Sequence, residues 1–199
     1  SRGRLTNRAP HDIVASPMIV AENLAPGTFV ADLNASDLDL NATFALSLVA
    51  GTGSTHNDFF DLDANATLTT KVMFDREVNA TLSIRVLARD EHNASFEKAL
   101  ALTVANVNET PVIAQGASLS VSMSEDGAPV PWPPTWQSND LNATDPDGDV
   151  LTWSVLTPPA NGTATVSGSG TSPAVFVYTP DPDYNGTDSF VVEVTDGTL

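Results

Sequence analysis

Apolar and polar residues alternate with a period of two along most of this chain. β-Branched residues crowd the alternating runs, and no window of 12 or more residues keeps an apolar stripe at helical spacing. The pattern predicts an all-β protein. In the first half the expected strands are Ile13–Val20, Thr28–Leu33, Phe44–Val49, Leu68–Val72, Thr81–Ala88 and Phe96–Val104. In the second they are Ser118–Met123, Val150–Val155, Thr163–Val166, Ala174–Tyr178 and Ser189–Thr195. Turn clusters such as Pro158-Pro159-Ala160-Asn161-Gly162 separate them. Short strands at this spacing build β-sandwiches.

The pattern also occurs twice. Asn7-Arg8-Ala9-Pro10 returns as Asn108-Glu109-Thr110-Pro111 at an offset of 101, and Ala21-Glu22-Asn23 returns as Ser124-Glu125-Asp126 at 103. Asp37-Leu38-Asp39 returns as Asp145-Pro146-Asp147 at 108, and Asp90, after one alternating run, returns as Asp196, after another, at 106. Anchors in one order at nearly one spacing mark tandem modules. A chain of 199 residues then divides into two domains of common sandwich size, expected at 1–108 and 109–199. The division falls within Asn106–Pro111, where a strand ends and Pro111 removes a ladder donor and fixes φ. The second repeat lacks a counterpart of Phe96–Val104, since the sequence stops at Leu199 soon after Asp196-Gly197. An edge left open in this way calls for a strand, either from a longer array or donated by another subunit. The start at Ser1 rather than methionine is expected of a mature protein or an excised piece.

Charge narrows the partners. There are 25 acidic and 8 basic residues, a formal net charge of −17. Nucleic acid and anionic membrane both require a basic footprint, so neither is an expected partner. No run of 18 apolar residues offers a membrane-spanning helix. Without cysteine there is no disulfide, zinc-thiolate site or cysteine nucleophile. The histidines, His11, His56 and His92, lie in no metal or nucleophile motif. Paired acids hydrolyse glycosides only across a cleft, and small sandwiches offer loop ends instead. The chain reads as non-enzymatic.

The acids are the candidate chemistry. Calcium takes about six to eight oxygen ligands, and carboxylates from separate loops supply them. The first repeat carries Asn7-Arg8-Ala9-Pro10, Ala21-Glu22-Asn23, Asp37-Leu38-Asp39, Asp75-Arg76-Glu77, Ala88-Arg89-Asp90 and Asn106-Val107-Asn108-Glu109-Thr110-Pro111, and in these it resembles the cadherin repeat family. The second is similar to bacterial tandem cadherin-like (tandem-95-like) repeats, through Ser124-Glu125-Asp126-Gly127, Asn139-Asp140, Thr144-Asp145-Pro146-Asp147-Gly148-Asp149 and Tyr184-Asn185-Gly186-Thr187-Asp188-Ser189-Phe190. The resemblance implies two cadherin-like or immunoglobulin-like sandwiches with calcium between them. By family pattern Glu22, Asp75 and Glu77 would meet Asn108 and Glu109 of the linker and Asp145, Asp147 and Asp196 of the second repeat. Asp37, Asp39 and Asp90 would form a weaker half-site facing whatever precedes Asn7. The departures are Asn106 in place of a linker aspartate, Leu40 in place of a glycine, and Glu91-His92-Asn93 in place of an Asp-x-Gly turn.

Asparagine adds a second signal. Asn34, Asn41, Asn65, Asn79, Asn93, Asn108, Asn142, Asn161 and Asn185 begin Asn-x-Ser/Thr sequons, 9 of the 14 asparagines. Serine and threonine, 39 of 199 residues, would place about a fifth of asparagines in sequons by chance. The excess points to N-linked glycans. The expected function is therefore that of an extracellular structural or adhesive repeat in a surface protein or filament, rigidified by calcium, with neighbouring repeats or identical subunits as partners. Two alternatives are an accessory domain of a secreted enzyme and a carbohydrate-binding module in which Trp132, Trp136 and Trp153 form a stacking surface.

Overall fold

The computed structural model describes residues 6–120, 130–131 and 141–198. The chain divides into two compact units, Ser1–Val107 and Asn108–Leu199. Among the described residues of the first unit the strands are β1 (Asp12–Ser16), β2 (Ile19–Ala21), β3 (Phe29–Ser36), β4 (Phe44–Leu48), β5 (Phe60–Leu62), β6 (Thr67–Thr70), β7 (Thr81–Asp90) and β8 (Ser95–Ala105). They form two four-stranded sheets, ordered β1-β3-β6-β5 and β2-β8-β7-β4. The run expected as one strand over Ile13–Val20 is two. Pro17 has no N–H to give a ladder, and the chain passes there from one sheet to the other, β1 pairing antiparallel with β3 and β2 parallel with β8. β5 was not expected, because three residues are too few for alternation to register.

Alternation decides which residues fill the sandwich. On β7, Leu82, Ile84, Val86 and Ala88 are fully buried, while Thr81 and Arg89 are exposed. Leu102 and Val104 of β8 join them, and Ile13, Val30, Leu33 and Leu68 close the core from the other sheet. Full burial of such a side chain is worth about 1.5–3 kcal/mol. The inward parity does not stop where the apolar residues stop. The next inward residue on β7 is Asp90, at 6% exposure, and beyond Val20 of β2 it is Glu22, at 1%. On β3 the buried Ala31, Leu33 and Ala35 are followed at the same parity by half-buried Asp37 and Asp39.

In the second unit the strands among the described residues are β9 (Val112–Ile113), β10 (Val130–Pro131), β11 (Ala143–Thr144), β12 (Thr152–Thr157), β13 (Gly162–Ser169), β14 (Val175–Pro180) and β15 (Val191–Thr195). Five form a sheet ordered β10-β14-β13-β12-β15, and β9 pairs with β11. Trp153, 2% exposed, centres the core with Leu141, Ala143, Leu151, Val166 and Phe176, and its Nε1 donates to the Gly170 carbonyl at 2.9 Å. Gly168 lies opposite Trp153 in the ladder at φ 124°, where an added Cβ would fall 2.5 Å from the Ala174 nitrogen. Trp153 is thus an interior residue, and its place in a carbohydrate-stacking surface is withdrawn. Trp132 and Trp136 lie outside the described residues, as do Ser124-Glu125-Asp126, Asn139-Asp140 and half of the strand expected over Ser118–Met123. Its described part, residues 118–120, is not strand.

The Asn161-Gly162 and Asp188 motifs of this unit serve its own fold. Asp188 accepts from the N–H groups of Ala160 (3.0 Å), Asn161 (2.8 Å) and Ser189 (2.8 Å), and from the Tyr178 hydroxyl (2.9 Å). Burial would raise the Asp188 carboxyl, and these donors outweigh it and hold it low. Burial, with the Asp188 hydrogen bond and charge, pushes the Tyr178 hydroxyl up to about 12. Gly162 makes room for this ring, since a Cβ there would meet the Tyr178 hydroxyl at 2.8 Å.

Leu82→Ala is expected to cost about 2–5 kcal/mol, read as a lower urea midpoint at unchanged slope. Leu40→Ala, at a side chain 94% exposed, should stay within about 0.5 kcal/mol of the parent.

Candidate metal centre

Where β1 begins and β3 and β7 end, the first unit gathers one group of acids. Asn7 Nδ2 donates to Asp90 Oδ2 at 2.8 Å, and the Arg8 N–H donates to Asp39 Oδ2 at 2.7 Å. Asp90 Oδ1 accepts the N–H groups of His92 (2.8 Å) and Ala94 (2.9 Å), which builds the β7–β8 turn around the carboxylate. Asn93 takes the left-handed turn position, φ 70°, so the missing glycine costs little. Beyond Asp39, Asn41 at φ 63° takes the left-handed position and leaves Leu40 in solvent. Asp37 Oδ1 accepts the Asp39 N–H at 3.0 Å. Burial would raise the Asp90 carboxyl above its ordinary 3.8, and the donors from Asn7, His92 and Ala94 reverse this and leave it lowered.

The opposite end of the same unit is organised by Glu22. Its two oxygens accept the Arg76 N–H (2.6 Å) and the Val107 N–H (2.8 Å), joining the end of β2 to the Asp75–Glu77 loop and to the segment after β8. Asp75 Oδ1 caps this loop by accepting the Val78 N–H at 3.0 Å. Glu22, Asp75 and Glu77 each present an oxygen, all within 4.8 Å of one another. Arg76 Nη1 stands 3.6 Å from Glu77 Oε1 and donates to Asn106 Oδ1 at 3.0 Å. Asn106, the departure in the linker, is therefore engaged by Arg76.

The second unit repeats the first arrangement. Asn108 Nδ2 donates to Asp196 Oδ2 at 2.7 Å, and the Glu109 N–H donates to Asp147 Oδ2 at 2.8 Å. These are the counterparts of Asn7 with Asp90 and of Arg8 with Asp39. The parity is the same as well, with buried Leu141 and Ala143 followed by half-buried Asp145 and Asp147. Asp145, Asp147 and Asp149 present oxygens within 4.8 Å of one another. Among the described residues, Asp37, Asp39 and Asp90 make no such group. Sequence reasoning missed Asp149 and Asn7. The Asp-x-Asp-x-Asp spacing of residues 145–149 signals the first, and the offset of 101 between Asn7 and Asn108 signals the second.

Among the described residues, three carboxylate oxygens at these ends are buried without a hydrogen-bond partner: Asp37 Oδ2, Asp145 Oδ2 and Asp147 Oδ1. Buried acceptors normally find donors, and an orphan costs about 1–3 kcal/mol, more when charged. A donor set made only of oxygen fits a hard cation such as calcium.

Residues 16–105 match the model of the cadherin domain, and residues 108–199 match the model of the bacterial Ig domain. The chain carries a cadherin domain followed by a bacterial Ig domain. No curated protein matches it. Similar solved structures include the protocadherin GammaB4 extracellular domain, at 20% identity and TM-score 0.53, covering 94% of this chain and 32% of that one. PcdhgB3 EC1–4 is 17% identical with TM-score 0.56 and coverages of 92% and 48%. The protocadherin gammaB7 EC3–6 cis-dimer is 19% identical with TM-score 0.52 and coverages of 93% and 47%. These likenesses establish the fold, two tandem cadherin-like or immunoglobulin-like sandwiches. The chain spans a third to a half of the length of these structures.

Glu22→Gln places an NH2 group against a backbone N–H and should cost the first unit about 1–3 kcal/mol in urea unfolding. For Asp90 the folded carboxyl lies below its ordinary 3.8. Its stabilisation is present above that value and is lost as pH falls through the lower folded one. The stability gap between the parent and Asp90→Asn should accordingly be widest near neutral pH and close on acidification, as followed by unfolding at stepped pH.

Proposed function

We propose that this chain is a non-enzymatic, extracellular structural and adhesive module, stiffened by calcium between successive repeats of a surface protein or filament. The observation that supports the reading is the recurrence, in units of two different domain families, of one clamp beside buried carboxylate oxygens that have no donor among the described residues. Glu22, Asp75 and Glu77 would hold the ion with Asn108, Glu109, Asp145, Asp147 and Asp196. Asp37, Asp39 and Asp90 would be a weaker half-site toward a preceding repeat.

When bound, the ion supplies positive charge where the chain has concentrated carboxylates. The protein's own residues do the remaining work. Glu22 fixes the loop that carries Asp75 and Glu77, and Asn108 and the Glu109 N–H hold Asp196 and Asp147 in place. Without the cation the carboxylates repel and the linker flexes. Neighbouring repeats and identical subunits are the partners of this reading. One similar solved structure, a protocadherin cis-dimer, assembles with a copy of itself.

Thermal unfolding in chelator, and then across a calcium titration with magnesium as control, tests the reading. Calcium at about 100 times its Kd should add about 2.7 kcal/mol to stability. The paired substitution Asp75→Asn with Glu77→Gln should remove most of that gain. A melting temperature indifferent to calcium overturns the proposal.

A further inference from the structure

The sequons of the first unit are not scattered. β3 ends at Ser36, opposite the start of β1 at Asp12, and β4 starts at Phe44, opposite the end of β7 at Asp90. Asn34 therefore lies near this end of β3, Asn41 in the loop that follows it, and Asn93 in the β7–β8 turn. The β5–β6 turn reaches the same end, because Thr67 pairs with Asp32 and the Leu33 N–H donates to the Ala66 carbonyl at 2.9 Å. That turn carries Asn65. Four sequon asparagines thus ring the end of the unit that holds the Asn7–Asp90 clamp. Asn79 sits apart, its N–H on the Asp75 carbonyl at the other end.

All four are exposed, and none has its Nδ2 in a hydrogen bond among the described residues. Asn41 and Asn93 stand at left-handed positions between strands. Asn108 is the opposite case. It is half-buried, and its Nδ2 donates to Asp196 at 2.7 Å and to the Glu109 carbonyl at 3.4 Å. A sugar on that nitrogen would replace one N–H and displace the clamp.

We propose that Asn34, Asn41, Asn65 and Asn93 carry a collar of N-linked oligosaccharides around this end of the cadherin domain, and that Asn108 remains unmodified. The donor class is a polyprenyl-pyrophosphate-linked oligosaccharide, acted on by an oligosaccharyltransferase. The asparagine Nδ2 forms a bond to the sugar C1 and gives up one proton, while the C1–O bond breaks and polyprenyl pyrophosphate leaves with the electron pair. The collar surrounds the acidic residues without occupying their oxygens. It keeps this end from close lateral packing and from proteases. The inference stands independently of the calcium reading, whose test is a melting curve.

Intact-glycopeptide mass spectrometry of the protein purified from its source tests it. The expected result is hexose-containing mass increments on the peptides bearing Asn34, Asn41, Asn65 and Asn93, with the Asn108 peptide at its unmodified mass. The quadruple variant N34Q/N41Q/N65Q/N93Q, made in the same source, should lose the larger part of the carbohydrate mass. Unmodified peptides at the four sites, or occupancy of Asn108, overturn the proposal.

Discussion

A strand that alternates inward and outward keeps alternating when it reaches the end of a sandwich, and whatever occupies the next inward position must be satisfied there. In this protein that position is an acid. Asp90 follows Leu82, Ile84, Val86 and Ala88 on one face of β7, and Glu22 follows Val20. Both are almost wholly removed from water, so each must be matched by donors or by a cation. The loops at the ends of the cadherin domain are shaped by this requirement. Backbone N–H groups of Arg76 and Val107 turn toward Glu22, and those of His92 and Ala94 toward Asp90.

The same requirement explains why two domains of different families share one local geometry. Their cores differ, the first filled mainly by aliphatic side chains with Phe60 and Phe74, and the second built around Trp153. Their ends nevertheless use an asparagine amide for one aspartate and the following residue's N–H for another. Such clamps leave particular oxygens, Asp37 Oδ2, Asp145 Oδ2 and Asp147 Oδ1, without a donor among the described residues. Amide donors cannot neutralise charge, and a chain with net charge −17 has few basic side chains to do so. In the function proposed above, a divalent cation would answer both needs at once.

Conformational choices at the turns follow from the acids as well. Asn41 and Asn93 adopt φ values that glycine usually supplies, and each lies two or three residues beyond a clamped aspartate. Asparagine tolerates this backbone and, followed by Ala-Thr or Ala-Ser, it also forms a sequon. Turn geometry and modification chemistry thus meet in single residues. Asp188 shows the other use of an acid, since its four donors all belong to the second unit's own turn and hydroxyl, which makes it a structural hub.

By itself the sequence determined the all-β class and the tandem organisation. Period-two alternation and the repeated anchors are local in the chain and need no knowledge of contacts. It also marked Glu22, Asp75, Glu77, Asp145, Asp147 and Asp196 as acids of interest. Tertiary structure decided matters that depend on pairing across the chain. The Pro17 transfer between sheets turns on a partner strand far away in sequence, the three-residue strand β5 on its pairing with β6, and the burial of Trp153 on the residues packed around it. The links of Asn7 to Asp90 and of Asn108 to Asp196, and the gathering of four sequons at one end, likewise depend on pairing across the chain. An acid's role is fixed by the donors that reach it, and some of these come from far along the chain, Arg8 lying 31 residues from Asp39 and Asn108 lying 88 from Asp196.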